Sequence, residues 1–200
     1  MLTILKSLVQ PRLDYCSQLW SPSDQGSINK IESIQYNLVN RIRDDKLTSL
    51  NYWEKLQELK LYSQERRRER YQVIFLWKIC QGLVSGYDVE FTSGGTRRGR
   101  LGVPKIVPKN CPAVVRRARE NSLVVKGVNI FNLLPESIRT IRSQHVDYFK
   151  NHLDIYLSSI PDQHTISGLG RAAPSNSLLH QIQMFKWEHW CKTILRGVQD

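Results

Sequence analysis

The stretch Gln64-Glu65-Arg66-Arg67-Arg68-Glu69-Arg70-Tyr71-Gln72-Val73-Ile74-Phe75-Leu76-Trp77-Lys78-Ile79-Cys80-Gln81 reads as one long helix with two chemically different halves. Ser63 is placed to cap its first turn and Gly82 to stop it, since a hydroxyl can accept an orphan N–H and glycine enters the left-handed conformation freely. The second half is apolar on most sides, so other elements must pack around it. The first half, dense in charge, is expected to project beyond the core. Partners for such a helix imply a mainly α fold, a helical bundle.

On the N-terminal side, Leu2, Leu5, Leu8 and Val9 recur at helical spacing. Pro11 can open a second helix with Leu13, Cys16, Leu19 and Trp20 on one face, closed by Ser21-Pro22-Ser23. Ile28, Ile31, Ile34, Leu38 and Ile42 give the clearest amphipathic stripe, with Lys30, Asn37 and Arg41 opposite. Asn51 followed by Glu54 forms a capping-box pattern ahead of Leu56 and Leu59.

On the C-terminal side, residues 83–112 are rich in Gly and Pro with little periodicity, which predicts a basic loop or linker. Leu123-Val124-Val125 and Val128-Asn129-Ile130-Phe131 fit short strands around 114–131 as well as a helix, and periodicity does not decide between them. Ser143 is a candidate cap for a helix carrying Val146, Phe149, Leu153, Ile155 and Tyr156. A Pro/Gly/Ser linker over 161–175 leads to an aromatic helix with Leu178, Leu179, Ile182, Phe185, Trp187, Trp190 and Ile194. The expected organisation is a helical region at 1–82, a linker at 83–112, a small α or α+β region at 113–160, and a linker with terminal helix at 161–200.

The 200 residues are 40% hydrophobic and 24% charged, a composition able to bury a core, and carry a formal net charge of +11. The excess is local. Residues 1–60 hold 8 Lys and Arg against 7 Asp and Glu, residues 61–142 hold 16 against 6, and residues 143–200 hold 5 against 5. A basic middle between balanced flanks points to a polyanionic partner such as RNA, DNA or an acidic membrane, with RNA or DNA contacted through phosphates.

Three clusters carry that charge. Arg66, Arg67, Arg68 and Arg70 lie in the first turns of a helix, where the macrodipole disfavours cations and an anion would relieve the conflict; Glu65 and Glu69 could instead neutralise them through i,i+3 pairs. Arg97, Arg98, Arg100, Lys105 and Lys109 lie among Gly and Pro, a setting that lets backbone follow a phosphate chain. Arg116, Arg117 and Arg119 precede an apolar run. Each cluster alone is as well explained by a solvated surface; together they add phosphate contacts.

Other chemistry is poorly supported. Gly94-Gly95-Thr96-Arg97-Arg98-Gly99 lacks the Gly-Lys-Ser/Thr of a P-loop. Asp44-Asp45 has neither a preceding aromatic nor a neighbouring carboxylate strand and reads as a polar turn. His145 and His152 are two helical turns apart, and His189 and Cys191 diverge on any helix. Cys16, Cys80, Cys111 and Cys191 are isolated, which suggests neither disulfides nor zinc and fits a reducing compartment. Tyr52, Trp53, Tyr71 and Trp77 could stack on bases, but aromatics at helical spacing are more often core. The apolar start, Met1 to Val9, is too short to span a membrane. No cofactor, no metal and no membrane partner are expected, and the location expected is intracellular, nucleus or cytoplasm, without secretion.

The run from Leu5 to Pro22, Leu-Lys-Ser-Leu-Val-Gln-Pro-Arg-Leu-Asp-Tyr-Cys-Ser-Gln-Leu-Trp-Ser-Pro, resembles the segment after the palm in Jockey-like non-LTR (LINE-type) retrotransposon reverse transcriptases. Ile31-Glu32-Ser33-Ile34-Gln35, then Leu56-Gln57-Glu58-Leu59-Lys60-Leu61 with the arginine helix, then Asn132-Leu133-Leu134-Pro135-Glu136 with Phe149-Lys150 and Leu153, resemble the blocks that follow there. The resemblance covers residues 1–157. Phe131 stands where the family usually has Trp, and Lys126 where it usually has Arg.

What the resemblance implies is a thumb-like region of an RNA-directed DNA polymerase with endonuclease. The polymerase carboxylates and their magnesium would belong to an upstream portion of the parent protein, against which residues 1–22 would pack. This chain would then be an accessory nucleic-acid-binding region and not itself an enzyme, with apolar surface left open at its N-terminus. The alternative is a degenerate or repurposed helical module for protein–protein contact with no nucleic-acid role.

Overall fold

A computed structural model describes residues 1–86, 90–92, 103–105, 122–143, 145–162 and 176–186. These residues are mainly helical. In chain order they form α1 (Leu2–Ile4), a π-helical turn (Leu5–Val9), α2 (Gln10–Asp14), α3 (Ser17–Trp20), α4 (Gln25–Val39), α5 (Asp45–Thr48), α6 (Tyr52–Glu58) and α7 (Gln64–Cys80). Two short strands follow, β1 (Glu90–Thr92) and β2 (Val103–Lys105), then α8 (Leu123–Leu133), α9 (Glu136–Arg139) and α10 (Val146–Ser158). Residues 178–186 are also helical.

The chain divides into two compact units. Met1–Tyr71 with Pro161–Ser177 make the first, and Gln72–Ile160 with Leu178–Asp200 the second, the division falling inside α7. The first unit is built around Leu5, Val39, Tyr52, Leu56 and Leu61, with Leu2, Leu38 and Trp53 packed on them. Each such aliphatic side chain taken from water contributes about 1.5–3 kcal/mol. In the second unit Trp77 is fully buried, stacks on Phe149 at 4.6 Å between centroids and donates its Nε1 hydrogen to the Ile141 carbonyl. Tyr52 and Trp77, two of the candidate base-stacking rings, are therefore core.

Local signals hold where they are local. Asn51 and Glu54 complete both halves of the capping box on α6. Ser63 Oγ accepts from the Arg66 N–H at the start of α7. At its end Gly82 sits at φ +71°, its N–H bonding Ile79 O and that of Leu83 bonding Lys78 O, the paired bonds of a Schellman motif. Pro11 lies in the first turn of α2, but the helix breaks at Cys16, which takes φ +50°, before α3 resumes.

Four expectations are corrected, and one left open is decided. The buried stripe of α4 is Ile28, Glu32, Gln35 and Val39, while Ile34 is 42% exposed. Polar groups inside unit 1 need Glu32 and Gln35 as partners, and that need outweighs the apolar count of the Ile31–Ile34–Leu38 face. The charged half of α7 does not project: Glu65, Arg66, Arg68 and Glu69 are all buried. Of the two readings open for residues 123–131, the helix is the one found; Ser122 caps α8 by accepting from Val125 N–H, and Gly127 lies against Gln72 and Leu76 of α7. Residues 114–121 lie outside the described residues. Strands occur instead inside the predicted loop, where β1 and β2 pair antiparallel with Phe91 opposite Pro104, a proline position that an edge strand tolerates. Finally, α10 is capped at His145 rather than Ser143, and Ile155 points to solvent while Phe149, Leu153 and Leu157 are buried.

Candidate nucleic-acid interface

Three of the four arginines of α7, Arg66, Arg67 and Arg68, face acids of the same folded unit. Arg67 makes a two-pronged pair with Asp14 of α2, Nε to Oδ1 at 2.7 Å and Nη2 to Oδ2 at 2.6 Å. Tyr71 Oη donates to the same carboxylate at 3.1 Å, and both Arg67 and Arg70 lie over the Tyr71 ring, at 5.7 and 5.8 Å. Burial disfavours the charge on Arg67, but Asp14 more than compensates and the guanidinium is held above its ordinary range.

Arg66 is 0% exposed. Its Nη2 donates to the Pro161 carbonyl at 2.6 Å and its Nε lies 3.5 Å from Asp162. Asp162 also accepts from Ser63 N–H at 2.8 Å, Ser63 Oγ at 2.7 Å and Asn176 Nδ2 at 2.7 Å. Glu65 accepts from the Asn176 N–H and Glu69 from Ser177 Oγ. Pro161 and Asp162 open the segment read as a linker, so both flanks of residues 163–175 are tied to the first turns of α7.

Arg68 is 2% exposed and faces Glu32, Glu65 and Glu69. Burial pushes its guanidinium down while the three carboxylates push it up, with a net lowering. Its Nε and Nη1 have no hydrogen-bond partner. Glu32 takes the Tyr52 hydroxyl on Oε1 and the Gln64 N–H on Oε2, the latter at 2.7 Å. Gln35 joins the cluster, donating to Tyr62 O at 3.0 Å and accepting from Gln64 Nε2. Burial pushes the Glu32 carboxyl up to about 7, and raises the Tyr52 phenol with the help of the Glu32 charge.

Of the sequence candidates, the fold thus brings Arg66, Arg67, Arg68 and Arg70 together but turns two of them inward and ties a third to Asp14. Lys105 falls in β2. Arg97, Arg98, Arg100, Lys109, Arg116, Arg117 and Arg119 lie outside the described residues. Sequence reasoning missed Glu32, Gln35, Asp14, Asp162 and Asn176 as partners. The signal available for two of them was register, since Glu32 and Gln35 share the Ile28–Val39 face of α4 at i, i+4, i+7 and i+11.

Other candidate chemistry resolves into structure. Asp44 accepts from Lys46 N–H and caps α5, beside an open pocket of about 620 Å³ that also exposes Asp45, Arg43 and Lys55. Among the described residues no group of three His, Cys, Asp or Glu could hold a metal ion, and no helix is long and apolar enough to cross a membrane. Cys16 and Cys80 are free thiols, and burial pushes Cys80 up to about 11, which makes it a poor nucleophile. Apolar side chains do stand in solvent near the N-terminus: Ile4, Leu8, Tyr15, Leu19 and Trp20 are exposed. No family model matches the chain, and neither a curated protein nor a solved structure matches it.

Proposed function

We propose that the chain is the helical post-palm region of a Jockey-like non-LTR retrotransposon reverse transcriptase, and that it holds RNA, or a duplex containing DNA, by its phosphates. The lineage rests on the four ordered sequence blocks. In this reading α7 is scaffold rather than contact surface. The binding cations are Arg97, Arg98, Arg100, Lys105, Lys109, Arg116, Arg117 and Arg119.

One observation carries the reading: residues 83–121 hold these 8 cations against only Asp88, Glu90 and Glu120, whereas Arg66, Arg67 and Arg68 of α7 are met by acids of their own unit. A local excess of cations over acids is what a phosphate chain would neutralise. Catalysis is assigned to an upstream portion of the parent protein. Nothing in the Asp44–Asp45 turn competes with that assignment, because the Asp44 carboxylate is engaged as a helix cap.

Titration of the full chain with a labelled single-stranded RNA and a duplex at several salt concentrations tests the proposal. Eight phosphate contacts would give a slope of log K against log salt approaching about −7 on duplex. Weak binding that ignores salt would sink it. That outcome would favour the protein–protein module, which the exposed Ile4, Leu8, Tyr15, Leu19 and Trp20 support.

A further inference from the structure

Three elements of unit 1 meet at one carboxyl group. Glu32 projects from α4, receives the Tyr52 hydroxyl from α6 and the Gln64 N–H from the first turn of α7, and is 3% exposed. Its surroundings are unevenly charged. Arg68 of α7 is the cation facing it, Asp162 is a second negative charge acting on it, and Tyr52 is its titratable neighbour on α6. Glu65 and Glu69, also on α7, compete for the same Arg68.

Arg68 does not close the pair well. Its Nε and Nη1 are buried without hydrogen-bond partners, so neither nitrogen donates to Glu32. An ionised Glu32 is therefore held by two hydrogen bonds, one of them from the α7 N-terminus, and by the charge of Arg68 without a bond to it, against burial and the repulsion of Asp162. A neutral Glu32 can keep the Gln64 N–H on Oε2 and donate its hydroxyl from Oε1 to Tyr52 Oη, which accepts as well as donates, so that the Tyr52 bond reverses direction and no charge is left buried.

We propose that Glu32 is a proton-operated latch on the N-terminus of α7: protonated, it keeps the α4–α6–α7 junction closed, and loss of the proton to water opens that junction. The direction is set by where the charge is better solvated. Opening hydrates Glu32 and frees Arg68, so the open form binds the proton less tightly than the closed one. The carboxyl pushed up to about 7 in the closed form, against the ordinary value of 4.5, agrees with that direction.

Hydrogen exchange of the full chain, corrected for the intrinsic pH dependence of exchange, reads the latch at the amides of residues 66–70. Opening linked to one proton steepens by up to tenfold per pH unit between the two carboxyl values and levels off above the higher one, so a rise of about twentyfold is expected between pH 5.5 and 7.5. In Glu32→Gln, which keeps the shape and cannot ionise, the rise should vanish. A flat wild-type profile, or the same rise in Glu32→Gln, overturns the proposal. Should that variant not fold, carbon-13 detection of the Glu32 carboxyl in the wild-type chain decides alone: a midpoint near neutrality supports the latch, and one below pH 5 refutes it.

Discussion

Replacing Arg66 with Met tests whether the arginines of α7 hold the fold. Methionine keeps most of the buried volume but removes the charge and every donor. The Pro161 carbonyl loses a charge-assisted bond of 2.6 Å, and Asp162 loses its facing guanidinium while still bonded to Ser63 and Asn176. A hydrogen bond to a charged donor contributes about 1.5–3 kcal/mol. Removing one partner of a buried ion pair typically costs about 3–5 kcal/mol, because the other charge stays behind. The remaining bonds to Asp162 place the expected loss toward the lower end, near 3 kcal/mol, a large part of the roughly 5–15 kcal/mol that keeps a domain folded. Urea unfolding followed by far-ultraviolet circular dichroism and by tryptophan fluorescence measures it. The double variant with Asp162→Asn should recover part of the loss, since no charge is then left without its partner. A cost under about 1 kcal/mol, the range of an exposed salt bridge, would refute the inward placement of Arg66.

Further expectations follow from single residues. Because the folded-state value of Glu32 is raised from 4.5 to about 7, its contribution to stability is full below pH 4.5 and is lost as pH rises to about 7; the span is on the order of 3 kcal/mol. Stability curves of wild type and Glu32→Gln should diverge across that window and nowhere else. A Cβ on Gly127 would meet Gln72 O at 3.5 Å and the Leu76 Cβ at 3.7 Å, ordinary contact distances. Gly127→Ala should therefore be neutral or stabilising by up to about 1 kcal/mol through helix propensity, and Gly127→Leu should cost about 1–3 kcal/mol by overpacking; thermal melts separate the two. Phe149→Ala removes the ring stacked on Trp77 and should cost about 3–5 kcal/mol, with a shift in tryptophan emission as Trp77 loses its cover.

The parts of this fold legible in the sequence are those decided within one turn. The capping box at Asn51 and Glu54, the Ser63 cap and the Gly82 stop each depend on residues at most five apart, so pattern alone reaches them. The destination of the arginines was not legible, because their partners are remote in sequence: Asp14 is 53 residues from Arg67, and Pro161 is 95 from Arg66. A run of charge in a helix looks the same whether water or a distant carboxylate answers it. In α4 the apolar count favoured the face carrying Ile31 and Ile34, and only the later position of the α7 N-terminus makes burial of Glu32 worthwhile. Helix α8 shows a third limit, since β-branched Val124, Val125, Val128 and Ile130 suit a strand until packing of Gly127 on α7 selects the helix.

Whether α7 supports the body while residues 97–119 hold the phosphates is tested most directly by comparing salt slopes of RNA and duplex binding in two variants. Arg97→Ala with Arg98→Ala and Arg100→Ala should flatten the duplex slope by up to about 3, near 0.9 for each phosphate no longer neutralised. Arg67→Ala with Arg70→Ala should leave the slope unchanged and lower stability instead. The reverse pattern, with the slope flattened in the α7 variant and kept in the other, would contradict the assignment of the phosphate contacts to residues 97–119.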